Sequence, residues 1–246
     1  MLKLFHTSSE NHMNFGVSKV VDSINYNLKK KNVLSMYSNK LFKFLFFKPD
    51  IVHIHGCWKI RLIFFFFLAK ISGTKIVISP HGMIDPFSLN QKRLKKKIAL
   101  FLYQRFIFEK ADLIITNSNI EKKNFIKIIK NIRKIIIIPH GIDLKKNSKI
   151  ILNKKQNLKF VFFSRIHPSK NLINLIDIWK NNYFFDDYIL DVYGEIQDKN
   201  YFDRFKDKIK SSKNINYKGR IIRKNLNQKL SKYDIFLHPS LSENFG

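Results

Sequence analysis

The chain has 246 residues with 46 Lys and Arg against 18 Asp and Glu, a formal net charge of +28, yet 45% of it is hydrophobic and 24 residues are Phe. That apolar content excludes a disordered polymer and predicts one to two globular domains, while the charge draws the fold towards anions without choosing among nucleic acid, anionic lipid and phosphorylated substrates. The single cysteine, Cys57, excludes a disulfide framework and a thiolate metal site and fits a reducing compartment.

From the N-terminus, MLKLFHTSSENH lacks the apolar core and cleavage site of a signal peptide, and Leu2 to Phe5 reads as a first strand. Val17, Val20, Val21, Ile24 and Leu28 recur at helical spacing in a segment that opens at Gly16 and closes on Lys29, Lys30 and Lys31, cations suited to a helix C-terminus. Strands are expected at Val33 to Tyr37, Ile51 to His55, Lys75 to Ser79, Leu113 to Asn117 and Ile135 to Ile138, with helices between most of them. The longest apolar run, Leu62 to Ala69, has eight residues, short of the roughly 20 that a spanning helix needs, and reads as a buried helix segment. In Gln91 to Phe108, the cations Lys92, Arg93, Lys95, Lys96 and Lys97 precede a stretch with Leu94, Ile98, Phe101 and Leu102 at helical spacing, a helix able to lie on an anionic bilayer.

After PHGID (Pro139 to Asp143), the polar and basic stretch Leu144 to Asn157 reads as a linker between a first domain, 1–143, and a second, 158–246. Alternation restarts there, with strands in Leu158 to Ser164, Tyr188 to Gly194, INYKG and Asp234 to Ser240, and helices from about Asn171 to Lys180 and near Tyr201 to Lys210. The expected fold class is α/β: two Rossmann-like parallel sheets, the second shorter than a domain usually is and incomplete.

In open α/β sheets ligands bind beyond the carboxyl ends of the strands, so the residues just after each apolar run carry the chemistry. After the first strand, Gly16 at a helix start lets a phosphate or sugar approach free backbone amides. HGCW (His55 to Trp58) follows the third strand and PHGM (Pro80 to Met83) the fourth. SRIHPSKN (Ser164 to Asn171) sets Arg165 and Lys170 around a strand-to-helix turn, two cations suited to a diphosphate. Glu243, after the last strand, is placed to hold sugar hydroxyls. His53 and His55 are assigned to opposite faces of their strand, so no shared metal is expected. His140 is given a structural role at the domain crossover, His167 and His238 none, and Cys57 and Trp58 are read as packing residues.

PDIVHIHGCW, SPHGMIDP, ADLIITNS, IPHGID, SRIHPSKN, DVYGE and HPSLSENFG follow one another along essentially the whole chain, and together they resemble the retaining glycosyltransferases of family four, also called group 1 glycosyltransferases, which have the two-domain GT-B fold. The first loop departs from that pattern: the family usually has two adjacent glycines where this chain has Asn14, Phe15 and Gly16. The resemblance implies a nucleotide-sugar donor, a glycan or lipid-linked acceptor, front-face displacement with retention, and neither metal nor cofactor. It implies that Gly16 lies beside the donor phosphate or sugar, that His81 approaches the donor sugar in the cleft between domains, and that Arg165 and Lys170 neutralise the diphosphate. Glu243 resembles the first glutamate of the family's paired-glutamate motif, which contacts the transferred sugar. The second glutamate falls beyond Gly246, so a truncated and inactive chain is expected. Cell-surface polysaccharide or lipopolysaccharide synthesis follows, in the cytoplasm or on the inner face of the cytoplasmic membrane. The rival expectation is an inactive basic binder of a membrane surface or nucleic acid; zinc-finger spacing, an aromatic RNA-binding signature and a basic zipper are all missing, so nucleic acid is not expected.

Overall fold

The structure, a computed structural model, describes residues 1–10, 16–141, 158–221 and 226–243. It divides into two compact units, Met1–Asp143 and Leu144–Glu243. The expected linker, Leu144 to Asn157, lies outside the described residues.

The first unit is built on β1 (Lys3–Ser8), β2 (Leu34–Tyr37), β3 (Ile51–His55), β4 (Lys75–Ser79), β5 (Leu113–Thr116) and β6 (Ile135–Ile137), all parallel in the order β2-β1-β3-β4-β5-β6. Its helices are α1 (Gly16–Lys29), α2 (Leu41–Phe47), α3 (Ile60–Ile71), α4 (Pro86–Asn90), α5 (Arg93–Ala99), α6 (Arg105–Lys110) and α7 (Asn119–Ile128), with a π-turn over Leu100–Gln104 joining α5 to α6. Residues two apart on a strand share a face. One face therefore carries Phe5, Val52, Ile54, Ile76, Ile78 and Ile114, each at most 2% exposed, and packs on Phe44, Phe65, Phe66 and Phe108. Phe5 and Phe44 meet edge-on with ring centroids 5.4 Å apart, the arrangement their quadrupoles favour. The opposite face, towards α1, carries His6, His53, His55 and Ser79 and borders a cavity of about 490 Å³.

Three expectations are corrected here. β1 runs to Ser8 rather than ending at Phe5, because pairing on both sides, with His6 opposite Tyr37 and His53 and Ser8 opposite His55, overrides its polar sequence. The apolar run in α3 is not buried throughout: Leu62, Phe65, Phe66 and Ala69 face the sheet, while Ile60, Phe64, Phe67 and Ile71 are exposed, since a helix can lay only one face on a sheet. Gln91 to Phe108 is not one regular helix, because Lys92 adopts a left-handed backbone before α5 and the π-turn widens the run after it.

The second unit has β7 (Lys159–Phe163), β8 (Ile189–Tyr193), β9 (Ile215–Tyr217) and β10 (Ile235–Leu237), parallel in the order β10-β7-β8-β9. Helices α8 (Leu172–Lys180), α9 (Lys199–Ile209) and α10 (Leu226–Leu230) accompany them. Phe160, Phe162, Ile176, Trp179, Leu190, Val192 and Phe205 form the core, where Trp179 stacks on Phe185 at 4.4 Å. On β10, Phe236 stays 53% exposed.

In each sheet the strand order reverses once, between β1 and β3 in the first and between β7 and β10 in the second. Loops leaving the strands part at such a point and open a crevice at their carboxyl ends. Among the described residues no helix is long and apolar enough to cross a membrane.

Candidate active site

At the β1/β3 switch point the sheet presents five histidines to one cavity: His6, His53, His55, His81 and His140, with Ser79 and Asn117 beside them and Lys31 at its wall. His53 and His55 were expected on opposite faces. They lie on the same one, ring centroids 3.8 Å apart, because positions i and i+2 of a strand point the same way. β1, longer than expected, adds His6 directly opposite His53. His6 Nδ1 lies 3.0 Å from His55 Nε2, His55 Nδ1 lies 3.0 Å from His81 Nε2, and Asn117 Nδ2 lies 3.3 Å from His81 Nδ1.

Each neutral ring carries one proton, so this row has a direction. The Asn117 amide donates to His81 Nδ1, which puts the His81 proton on Nε2, facing His55 Nδ1. His55 then donates from Nε2 to His6, and the His6 proton is left on Nε2, a buried nitrogen without a hydrogen-bond partner among the described residues. Burial holds all these rings neutral. It lowers the His6 pKa to about 4 and, with the nearby His140, that of His81 to about 3. Burial pushes His53 and His55 well below the ordinary value, helped by the neighbouring imidazoles, and burial lowers His140 as well.

His81 is positioned from outside the row. It sits in the turn after β4 with φ 53°, a left-handed conformation that costs a residue with a side chain about 1 kcal/mol or more. The following amide, Gly82 N–H, donates to Glu121 Oε1 at 2.6 Å, and Asn117 N–H donates to Glu121 Oε2 at 2.7 Å. One buried carboxylate thus ties the β4 turn to the end of β5. Glu121 was missed from the sequence. Its signal was there: Ser118 and Glu121 are spaced as a capping box, and Ser118 Oγ accepts from Glu121 N–H at 3.1 Å.

Gly16 opens α1 on its own exposed surface, with nothing near the space a Cβ would take. The nearby Ser18 amide already donates to Glu10 Oε2 at 2.9 Å, as does Ser18 Oγ, so a carboxylate sits at the positive end of the helix. The rest of that loop, 11–15, lies outside the described residues.

In the second unit, the β7/β10 switch point brings Lys170 and Glu243 together. Lys170, 7% exposed, donates to Glu243 Oε1 from a short 3₁₀ turn, Pro168–Lys170, whose entry His167 caps by accepting from Ser169 N–H at 3.2 Å. The Leu241 amide donates to Ser169 O at 2.9 Å and fastens the loop after β10 to that turn. His238 Nε2 lies 2.8 Å from the same Glu243 oxygen, a partner that sequence reasoning left without a role. Partial burial works to raise the Glu243 pKa; hydrogen bonds from Lys170, Ser240 and His238 and the Lys170 charge outweigh it and hold the carboxyl below its ordinary value. Arg165 stands apart, exposed, its guanidinium donating to Gln197 Oε1 at 3.0 Å.

Two family models cover most of the chain: the one described as Glycosyltransferase Family 4 matches residues 8–146, and the one described as Glycosyl transferases group 1 matches residues 143–246. Among solved structures, the chain is similar to Anabaena HepE in complex with UDP-glucose, at 15% identity and a TM-score of 0.70, over 99% of this chain and 75% of that one. It is similar also to the lipopolysaccharide outer core galactosyltransferase WaaB in its apo form, at 15% identity and a TM-score of 0.64, over 99% of this chain and 76% of that one. These neighbours and the two parallel sheets establish the expected GT-B type of fold, the second sheet having four strands among the described residues. No curated protein matches the chain in sequence.

Proposed function

The chain belongs to glycosyltransferase family 4, and from that premise we propose that it moves a sugar from a nucleotide-sugar donor to a glycan or lipid-linked acceptor with retention of the anomeric configuration, in the making of a surface polysaccharide. The observation that carries this reading is the Lys170–Glu243 pair at the β7/β10 switch point. A buried ammonium meets an anion in a medium of lower dielectric than water, where each charge contact is stronger. Lys170 takes charge growing on the leaving diphosphate, Arg165 joins it after releasing Gln197, and Glu243 holds hydroxyls of the transferred sugar. The departing diphosphate helps to deprotonate the incoming hydroxyl, so the protein's task is placement and neutralisation. His81 in the first unit is assigned to a donor-sugar hydroxyl.

Calorimetric titration with UDP tests the assignment. A charge-assisted hydrogen bond contributes about 1.5–3 kcal/mol, so Lys170→Ala is expected to weaken UDP by about ten- to a hundredfold. Unchanged affinity in the Arg165→Ala, Lys170→Ala double variant defeats it.

The reading includes a seat on an anionic bilayer, which a lipid-linked acceptor requires. Supporting it, Leu94, Ile98, Phe101, Leu102 and Phe106 are 47–87% exposed along α5, the π-turn and α6, beside Lys92, Arg93, Lys95 and Lys97. The fifth cation, Lys96, is engaged within the fold, donating to Ser88 and lying 5.7 Å over the Trp58 ring. The protein is expected to sediment with anionic but not neutral vesicles, and to lose this when Lys92, Arg93, Lys95 and Lys97 become Gln. Equal binding to both vesicle types refutes the proposal.

A further inference from the structure

We propose that His6, His53 and His55 form a three-histidine site for a divalent first-row transition metal of the zinc type, its remaining coordination position open to the cavity under α1. The proposal does not depend on sugar transfer.

One ring nitrogen from each of the three lies within 4.8 Å of the other two. Around a tetrahedral ion with metal–nitrogen distances of about 2.0–2.1 Å, ligating nitrogens stand about 3.4 Å apart. His6 Nδ1 and His55 Nε2 are at 3.0 Å, and small side-chain rotations close the rest. The backbone makes this possible: β1 and β3 are adjacent, His6 is in register with His53, and His55 is two residues further on the same face. Imidazole is a borderline donor that selects zinc, copper, nickel or cobalt over magnesium and calcium, which want oxygen.

Two of the three imidazoles already have, at the second ring nitrogen, the partner that a ligating ring usually needs. His55 Nδ1 faces His81 Nε2 at 3.0 Å, and Ser79 Oγ lies 2.8 Å from His53 Nε2 and fixes that ring. His6 is wholly buried at the cavity wall, its Nδ1 turned to His55 and its Nε2 without a partner among the described residues. The ion takes the place of the proton between His6 and His55. That proton moves to His55 Nδ1, the His81 proton moves to Nδ1, and the Asn117 amide turns its oxygen to receive it, so the rings keep three protons in all. With three protein ligands and about 490 Å³ of cavity alongside, the fourth position is left for water or an oxygen of a bound molecule.

The test uses Co²⁺ and Zn²⁺ alone with the metal-free full chain. Co²⁺ is expected to bind one per chain with the strong visible absorption of a tetrahedral nitrogen site, and Zn²⁺ to displace it. His53→Ala should weaken binding at least a hundredfold and Ser79→Ala about ten- to a hundredfold, while Cys57→Ala, which removes the chain's one thiol, leaves it unchanged. If the histidine variants fail to fold, nitrogen NMR of the unaltered protein decides: zinc should shift the ring signals of His6, His53 and His55 far more than those of His167 and His238. Absence of binding, a weak octahedral cobalt spectrum, binding that survives His53→Ala, or shifts confined to His167 and His238 overturns the proposal.

Discussion

In the absence of metal, lowering the pH from 7 to 5 is expected to reduce the melting temperature of the first unit by about 10 °C or more, before most carboxylates have titrated. Four buried imidazoles carry the effect. In the unfolded chain each binds a proton near pH 6.5, whereas in the fold His6 waits until about 4, His81 until about 3, and His53 and His55 until well below 6.5. Depressed folded values favour the unfolded state in acid, so the stability is fully present above pH 6.5 and is lost as the pH falls from there towards the folded values. At pH 5 His6 and His81 have each forfeited about 2 kcal/mol, together about 4 kcal/mol, and His53 and His55 lose stability in the same direction, against the 5–15 kcal/mol that holds a domain. At about 2–4 °C per kcal/mol for a chain of this size, the shift is of order 10 °C. The mutual closeness of the rings adds to the cost of charging His53, His55 or His81. Melting curves at pH 7, 6 and 5 with a chelator present check it. A melting temperature that stays level over this range would mean the rings are not kept neutral by burial.

Gly194→Ala is expected to cost about 3 kcal/mol and to weaken UDP binding, although residue 194 makes no ligand contact in the proposed site. The glycine is needed for space. A Cβ there would come within 1.9 Å of the Ser164 carbonyl oxygen and 2.9 Å of Ile166 Cδ1. That carbonyl cannot easily retreat, because Ser164 N–H donates to Tyr193 O at 3.1 Å, locking the ends of β7 and β8 together, while Gly194 N–H donates to Gly219 O at 2.9 Å and ties the end of β8 to the segment after β9. Overpacking of this kind typically costs about 1–3 kcal/mol when the neighbours can shift, and a backbone neighbour puts it at the upper end. The displacement is expected to pass into the Ser164 to Lys170 turn and to move Arg165 and Lys170 with it. Chemical denaturation and UDP titration on the same variant check the two halves. Stability within about 0.5 kcal/mol of the parent chain would show that the turn has slack.

The alternation of strand and helix was legible because its cause is local: apolar runs of strand length, bounded by charges and glycines, recover β3 and β4 to the residue. That Lys170 and Glu243 lie in the loops after β7 and β10 was also legible from where the apolar runs end. Their ion pair was not. It depends on β10 lying next to β7, and sequence spacing says nothing of strand order. The histidine row failed for two reasons. The polar residues His6 to Ser8 looked like a loop, and only two-sided pairing makes them strand; and His53 and His55 were put on opposite faces when the period of two joins them. Glu121 was overlooked because its capping signal was not followed to the carbonyl-end turns it holds.

The placement of β10 beside β7 also bears on how the second unit is made. β7, β8 and β9 pair in the order in which they are synthesised, each with the strand before it, whereas Asp234 Oδ2 must return across 75 positions to accept from the Lys159 amide at 2.9 Å. Closing so long a loop before its contacts reward it slows the step. Until it is taken, β7 offers an open flank bearing Phe160 and Phe162 to any other extended chain. The first unit, emerging earlier, can fold while this flank is still exposed, so the stretch between synthesis of Phe163 and arrival of Leu237 is when nascent chains are most exposed to pairing with one another.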